Sequence, residues 1–393
     1  GTPACGSTTS NNVVITVQSV PTAGTIAADQ TICYNTTPLS LTSTIDGTGD
    51  GDETYIWEYK TDVVDWTVIS GATTNVYAPG ALTISTLYRR TTVSTLNDKA
   101  CQSVATVPVV ITVRPVLVAP VIGNSQEICY NTAPATLTVI TPASGGSESY
   151  TYQWQSSTDL TNWTNVGTGT SYSPPVLIET IHYQVIASSG GTPNCGDLTS
   201  NRVTITVTDP IYPPLLGAAQ TICYNTAPAA LNITAATGGT GIFTYQWQVS
   251  NTGTSGWSTV QTGVSLTYQP PVLSTEKFYR VIATQCGSVF SNIIKITVQS
   301  EILAGSITGD QTICWNYTAH ILSSAVGSSG QGALIGYEWQ QLELPSGTWT
   351  TLVVEDDAGL TLPGVTVDTK YRRRTVSTLN SVPCYSEWTN EVT

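Results

Sequence analysis

The stretch Gln30-Thr31-Ile32-Cys33-Tyr34-Asn35 occurs four times in this chain. It returns as Gln126-Glu127-Ile128-Cys129-Tyr130-Asn131, as Gln220-Thr221-Ile222-Cys223-Tyr224-Asn225 and as Gln311-Thr312-Ile313-Cys314-Trp315-Asn316. Successive cysteines are 96, 94 and 91 residues apart. Self-similarity at a fixed period is the mark of a repeat architecture. This period is too long for a solenoid unit and suits a whole small domain. The expected organisation is one domain type used over and over, at residues 21–116, 117–209, 210–300 and 301–393. Residues 1–20 are expected to be the end of a preceding repeat, because residues 5–17 match residues 286–298. The chain therefore reads as a segment of a longer protein.

Within a repeat the pattern is that of short strands. In the second, Ala135-Thr136-Leu137-Thr138-Val139 alternates, a Ser144-Gly145-Gly146-Ser147 loop follows, and Tyr150-Thr151-Tyr152-Gln153-Trp154-Gln155 alternates again. Trp163 opens a further short strand, Tyr172 lies in another that Pro174-Pro175 breaks, and residues 177–187 form the strand around Tyr183. The last strand is expected at 202–207. No helical period is visible. About seven strands in under a hundred residues predict an all-β fold: tandem immunoglobulin or fibronectin-III-like β-sandwich domains in an extended rod.

Two aromatic markers recur. Trp57, Trp154, Trp247 and Trp339 stand 24 or 25 residues after the first cysteine of each repeat, where such a domain buries its third-strand Trp. Tyr88, Tyr183, Tyr279 and Tyr371 follow, each with an aliphatic residue six positions earlier (Leu82, Leu177, Leu273, Val365), the spacing of a tyrosine corner. These eight aromatics are the expected structural core. A second Trp per repeat (Trp66, Trp163, Trp257, Trp349) is expected against the sheet edge.

The nine cysteines admit two pairings. Pairing inside each repeat joins Cys33 to Cys101, Cys129 to Cys195, Cys223 to Cys286 and Cys314 to Cys384, and leaves Cys5 over. Pairing each late cysteine to the next early one joins Cys5 to Cys33, Cys101 to Cys129, Cys195 to Cys223 and Cys286 to Cys314, with a spacing of 28 every time. The within-repeat spacing varies from 63 to 70. A last strand of ordinary length separates the members of the second set, whereas a parallel first and last strand would bring the two cysteines of one repeat together. The expectation is within-repeat bonding, and with it an oxidising compartment and export. Two residues after the corner Tyr, where antibody domains place a buried cysteine, stand Arg90, Val185, Val281 and Arg373. Junctions such as Arg114-Pro115-Val116 and Asp209-Pro210-Ile211-Tyr212-Pro213-Pro214 read as semi-rigid spacers.

A net charge of −13 argues against nucleic acid or an anionic membrane as partner, and no apolar run is long enough for a membrane helix. No nucleophile–base pair, metal-type cysteine cluster or phosphate-binding glycine loop is evident, so no enzyme activity and no cofactor is expected. His182 and His320 belong to no repeated site. The run from Asp46 to Glu53, with Asp50 and Asp52, has the carboxylates to hold Ca²⁺; the matching loops lack them, and it reads as a solvated acidic loop. Arg89-Arg90 and Arg372-Arg373-Arg374 could bind an anionic glycan; strand-face solubility or packing on Trp is the expectation.

Gln-Thr-Ile-Cys-Tyr-Asn-Thr-Ala-Pro, then Tyr-Gln-Trp-Gln, then Tyr-Arg-Arg or Tyr-Arg-Val, then Cys and Ile-Thr-Val together resemble the tandem Ig-like repeats of very large Bacteroidota surface proteins. Those include adhesins of the gliding-motility type, exported by the type 9 secretion system. The resemblance covers essentially the whole chain. It implies an extracellular place on a bacterial cell surface, and a C-terminal sorting domain outside these residues. The expected role is a non-catalytic stalk of an adhesin or filament, whose partners are neighbouring repeats and other copies. The alternatives are a multivalent array binding a surface glycan or protein, with Tyr34, Tyr130, Tyr224 and Trp315 as repeated aromatics, and accessory domains of a secreted hydrolase.

Overall fold

The structure, a computed structural model, describes residues 4–320, 323–326, 334–345, 347–355 and 358–393. Two compact units, residues 1–207 and 208–393, make it up. Among the described residues there is no helix, and the fold is all-β.

The first repeat shows how the sequence builds a sandwich. Its strands are β1 (Thr25–Ile26), β2 (Gln30–Ile32), β3 (Ser43–Ile45), β4 (Asp52–Lys60), β5 (Thr67–Val68), β6 (Thr86–Leu96), β7 (Lys99–Gln102) and β8 (Val109–Val113). The larger sheet runs β2-β8-β6-β4-β5, with β7 also on β6. The smaller layer is the β1–β3 pair, extended by bridges Thr36↔Leu82 and Leu41↔Tyr77. First and last strands pair in parallel, with Gln30 opposite Ile111 and Ile32 opposite Val113. The second and third repeats copy this pairing, Gln126 opposite Ile205 and Gln220 opposite Ile296.

Alternation explains the core. On β6 the inward residues Thr86, Tyr88, Arg90, Thr92 and Ser94 are buried, and of the outward ones only Val93 is, close to the period-two pattern of a strand. Trp57, Trp154, Trp247 and Trp339 are fully buried. In three repeats the indole N–H donates to a backbone carbonyl, of Thr74 (2.8 Å), Gly169 (2.9 Å) and Ser265 (3.3 Å). Tyr88, Tyr183, Tyr279 and Tyr371 are buried beside them. A third ring sits between Trp and Tyr: Tyr77 is 5.7 Å from both Trp57 and Tyr88, and Tyr172 and Tyr268 hold the same place. Offset rings at this range attract beyond their area of burial.

The expected strand around Tyr183 differs in extent. The strand around Tyr183 is Ile181–Ser189, and Leu177 stands apart, in an isolated bridge to Thr132. The chain before the corner Tyr is thus tied back through the backbone of its aliphatic residue. The Leu177 amide donates to Thr132, and the Asn131 amide donates to Leu177.

Candidate functional site at the junction between repeats

The glutamine, isoleucine, asparagine and cysteine of the recurrent stretch have separate tasks. The Gln126 side chain grips the backbone of Ala135, accepting from its N–H at 2.8 Å and donating to its carbonyl at 3.0 Å. Gln30 does this to Leu39 and Gln220 to Ala229. Ile32 and Ile222 enter the core. Asn35, Asn131, Asn225 and Asn316 adopt φ of 57–64°, a left-handed turn that Asn tolerates. One residue on, the Thr36, Thr132 and Thr226 hydroxyls donate back to the cysteine carbonyls at 2.6–2.7 Å. The turn therefore presents the cysteine from the pole of the sandwich where the chain leaves for the next repeat.

There the cysteines bond across repeats. Cys33 is joined to Cys195, Cα atoms 5.4 Å apart, and Cys223 to Cys384, Cα atoms 5.5 Å apart. Cys129 and Cys286 are also disulfide-bonded, while Cys5, Cys101 and Cys314 are free. This overturns within-repeat pairing, and the structure excludes Cys101–Cys129 and Cys195–Cys223 as well. The reason is the parallel pair itself. Cys33 follows β2, but Cys101 precedes β8. Cys101 lies opposite Ser94 on β6, while Gln30 and Ile111 are level with Thr86. The two cysteines of one repeat thus stand about eleven residues apart along the sheet, roughly 35 Å at ~3.3 Å per residue. A disulfide spans about 4.4–6.8 Å between Cα atoms. Cys33 and Cys223, at the outgoing poles of their repeats, instead meet the late cysteines Cys195 and Cys384 of the repeats that follow.

Polar contacts seat the same junctions. The Arg114 guanidinium donates to the Thr192 carbonyl at 3.2 Å. Gln299 donates to the Val382 carbonyl at 2.9 Å and accepts from the Ser377 hydroxyl at 3.1 Å. Asn380 reaches Thr221 at 3.1 Å. Gln18 makes the corresponding contacts ahead of the first repeat, donating to Lys99 at 2.7 Å and accepting from Ser94 at 3.5 Å. The linker ahead of the second repeat also docks on the domain that follows it. Val118 pairs with Ser144, and the Gly146 N–H donates to Pro115.

The aromatics after the early cysteines remain accessible: Tyr34 is 45% exposed, Tyr130 41%, Tyr224 40% and Trp315 74%. Beside Trp315 and Cys314 runs a groove of about 610 Å³, also lined by Gln311, Ile313, Thr369 and Tyr371. In the first three repeats the residues paired with the glutamine equivalent to Gln311 are the fully buried Ile111, Ile205 and Ile296 of the last strand.

The remaining candidates are structural in their contacts. Arg89 stacks 4.1 Å over Trp66 and pairs with Glu58 at 2.7 Å; Arg280 lies over Trp257, Arg202 over Trp163 and Arg372 over Trp349. Arg374 pairs with Glu338. Arg90 and Arg373, in the position of the antibody cysteine, are fully buried. Arg90 lies over Tyr55 and donates to the Ser43 hydroxyl and, at 3.0 Å, to the Asn75 carbonyl. Burial pushes its guanidinium pKa down. Hydrogen bonds from Ser43 and Asn75, and then the Arg90 charge, hold Asp46 below the usual carboxylate range. Asp50 accepts from Ser19, and Glu53 accepts from the Gly49 amide, so the carboxylates of that loop serve different partners. No cluster of metal-ligating side chains occurs among the described residues. His182 shares a hydrogen bond with Thr204 at 2.9 Å; the His320 side chain lies outside the described residues.

The sandwich topology and the linked junctions define a tandem Ig-like repeat protein. The chain belongs to the DUF8696 family, a domain of unknown function, whose model matches residues 22–115, 118–209 and 215–300. No curated protein matches the chain. Among solved structures it is similar to three N-terminal domains of the bacteriophage RB49 Highly Immunogenic Outer Capsid protein (11% identity, 70% of this chain and 98% of that one, TM-score 0.38). It is also similar to titin fragment I67–I69 (11%, 71% and 99%, 0.38) and to the N-terminal four Ig domains of Dscam1 (12%, 95% and 99%, 0.24).

Proposed function

We propose that this chain is a non-catalytic stalk segment of a large secreted adhesin or filament on a bacterial surface, carrying a distal part away from the cell. The observation that carries the reading is the bonding of Cys33 to Cys195 and of Cys223 to Cys384, neighbouring repeats in each case. A bond inside a domain would stabilise that domain alone. A bond between domains stabilises their relative placement, which matters to a spacer. Disulfides accord with an oxidising, extracellular setting, and docked linkers accord with a rod. Export by the type 9 system of Bacteroidota belongs to this proposal through the resemblance of the repeats. Electron microscopy of native material, on cells and shed from them, tests it. Beaded threads carrying this chain on the outer surface are the expected result; immunogold label confined to the cell interior would refute it.

The half-exposed aromatics beside the early cysteines favour a second reading, a weak binding array. Four copies of a weak aromatic subsite would gain avidity from their number. Glycan-array binding that Tyr34→Ala, Tyr130→Ala, Tyr224→Ala and Trp315→Ala together abolish would establish it, and binding unchanged by that quadruple substitution would remove it.

A further inference from the structure

We infer that the disulfides make the chain inextensible: a pull between its ends is carried past the folded domains and cannot draw them out. The inference rests on the stalk reading for its purpose and on covalent connectivity alone for its content. Cys33 and Cys195 are 162 residues apart in sequence, and Cys223 and Cys384 are 161. Each pair is one bridge apart in space. Between the bridges lie only the 28 residues from Cys195 to Cys223. The shortest covalent path from Cys33 to Cys384 is therefore two bridges and 28 residues. At 3.3–3.6 Å per residue it cannot exceed about 110 Å, against roughly 1,200 Å along the unbridged chain. This bound holds whatever the arrangement of the domains.

The residues left on the path have little slack to give. They hold Val203–Val207, Asp209–Tyr212, Leu215–Leu216 and Gln220–Ile222, all extended strand already. The length pattern fits the same purpose. Every late-to-early cysteine spacing is 28, so no insertion lengthens the path. Early-to-late spacings range from 63 to 70, and that variation lies in chain that bridging can take off the path. In an unbridged array of Ig-like domains, by contrast, each unfolding event would release roughly 300 Å of chain for a 95-residue domain.

The test is single-molecule stretching of the full chain, held by a handle at each terminus, with free thiols blocked by iodoacetamide. The oxidised molecule should reach its limiting length without any domain-sized release. Reduction with a phosphine should then add roughly 1,100 Å, the combined length of the two closed loops. The limiting length does not depend on whether the reduced chain stays folded, so loss of stability cannot mimic or hide the result. Equal limiting lengths before and after reduction, or releases of roughly 300 Å from the oxidised chain, would overturn the inference and leave the stalk reading to microscopy.

Discussion

Substituting Gly145 by Ala should free the linker ahead of the second repeat while leaving that repeat folded. Gly145 has φ of +76°, and a methyl group there would lie 1.9 Å from the Val116 carbonyl oxygen. The obstacle is backbone, so no rotamer change relieves it. The loop it belongs to clasps the linker through three hydrogen bonds: Val118 to Ser144 at 2.8 Å, Ser144 to Val118 at 3.3 Å and Gly146 to Pro115 at 2.9 Å. A left-handed Ala costs about 1–2 kcal/mol, and each lost bond about 0.5–1.5 kcal/mol net. Undocking should therefore become easier by about 3 kcal/mol, on the order of a hundredfold in the opening equilibrium. Hydrogen exchange at the Val118 amide reads that equilibrium directly. Gly169→Ala is the control, because Gly169 has φ of +94° but nothing within 4 Å of a new methyl; it carries the strain without the clash. The reasoning fails if Val118 keeps its protection in Gly145→Ala, or loses as much in Gly169→Ala. Gly238, whose methyl would meet the Pro210 carbonyl at 1.9 Å, should behave as Gly145 does for the third repeat.

Gln126→Ala removes both hydrogen bonds to Ala135 and should lower the stability of the second repeat by about 1–2 kcal/mol in urea unfolding; no change would mean that water replaces the clamp. Burial pushes the Tyr88, Tyr183 and Tyr279 phenols up to about 12, from an ordinary value of 10. A phenol whose folded pKa is raised contributes stability that is fully present below pH 10 and is lost as pH rises toward 12. Ultraviolet titration should show these tyrosines ionising together with unfolding in that window; their ionisation near pH 10 in a still-folded chain would contradict the burial.

Much of the fold was legible because its signals are local. Alternation around Trp154 and Tyr183 marks strands, and a Trp at constant distance from a cysteine marks one site in each sheet. The bond partners were not legible, because they depend on which pole of the sandwich each cysteine occupies. The parallel first and last strands were anticipated. Their consequence, that a cysteine after one and a cysteine before the other lie at opposite poles, is what separates Cys33 from Cys101. Arg90 and Arg373 were hidden for a different reason. A charged residue in an alternating strand does not announce which face it takes, and only the rings of Tyr55 and Tyr337 and the carbonyls nearby make the buried face tolerable. The clamp of Gln126 on Ala135 had a visible signal, a glutamine at the same step before every early cysteine, but its target nine residues on is set by the turn at Asn131.

The claim on which the account turns is that neighbouring repeats are bonded to each other. Non-reducing peptide mapping of the chain, purified with its thiols blocked, tests it most directly. The account predicts one linked peptide pair containing Cys33 and Cys195 and another containing Cys223 and Cys384, with Cys101 and Cys314 recovered in blocked form. A peptide pair joining Cys33 to Cys101, or Cys101 to Cys129, would contradict it.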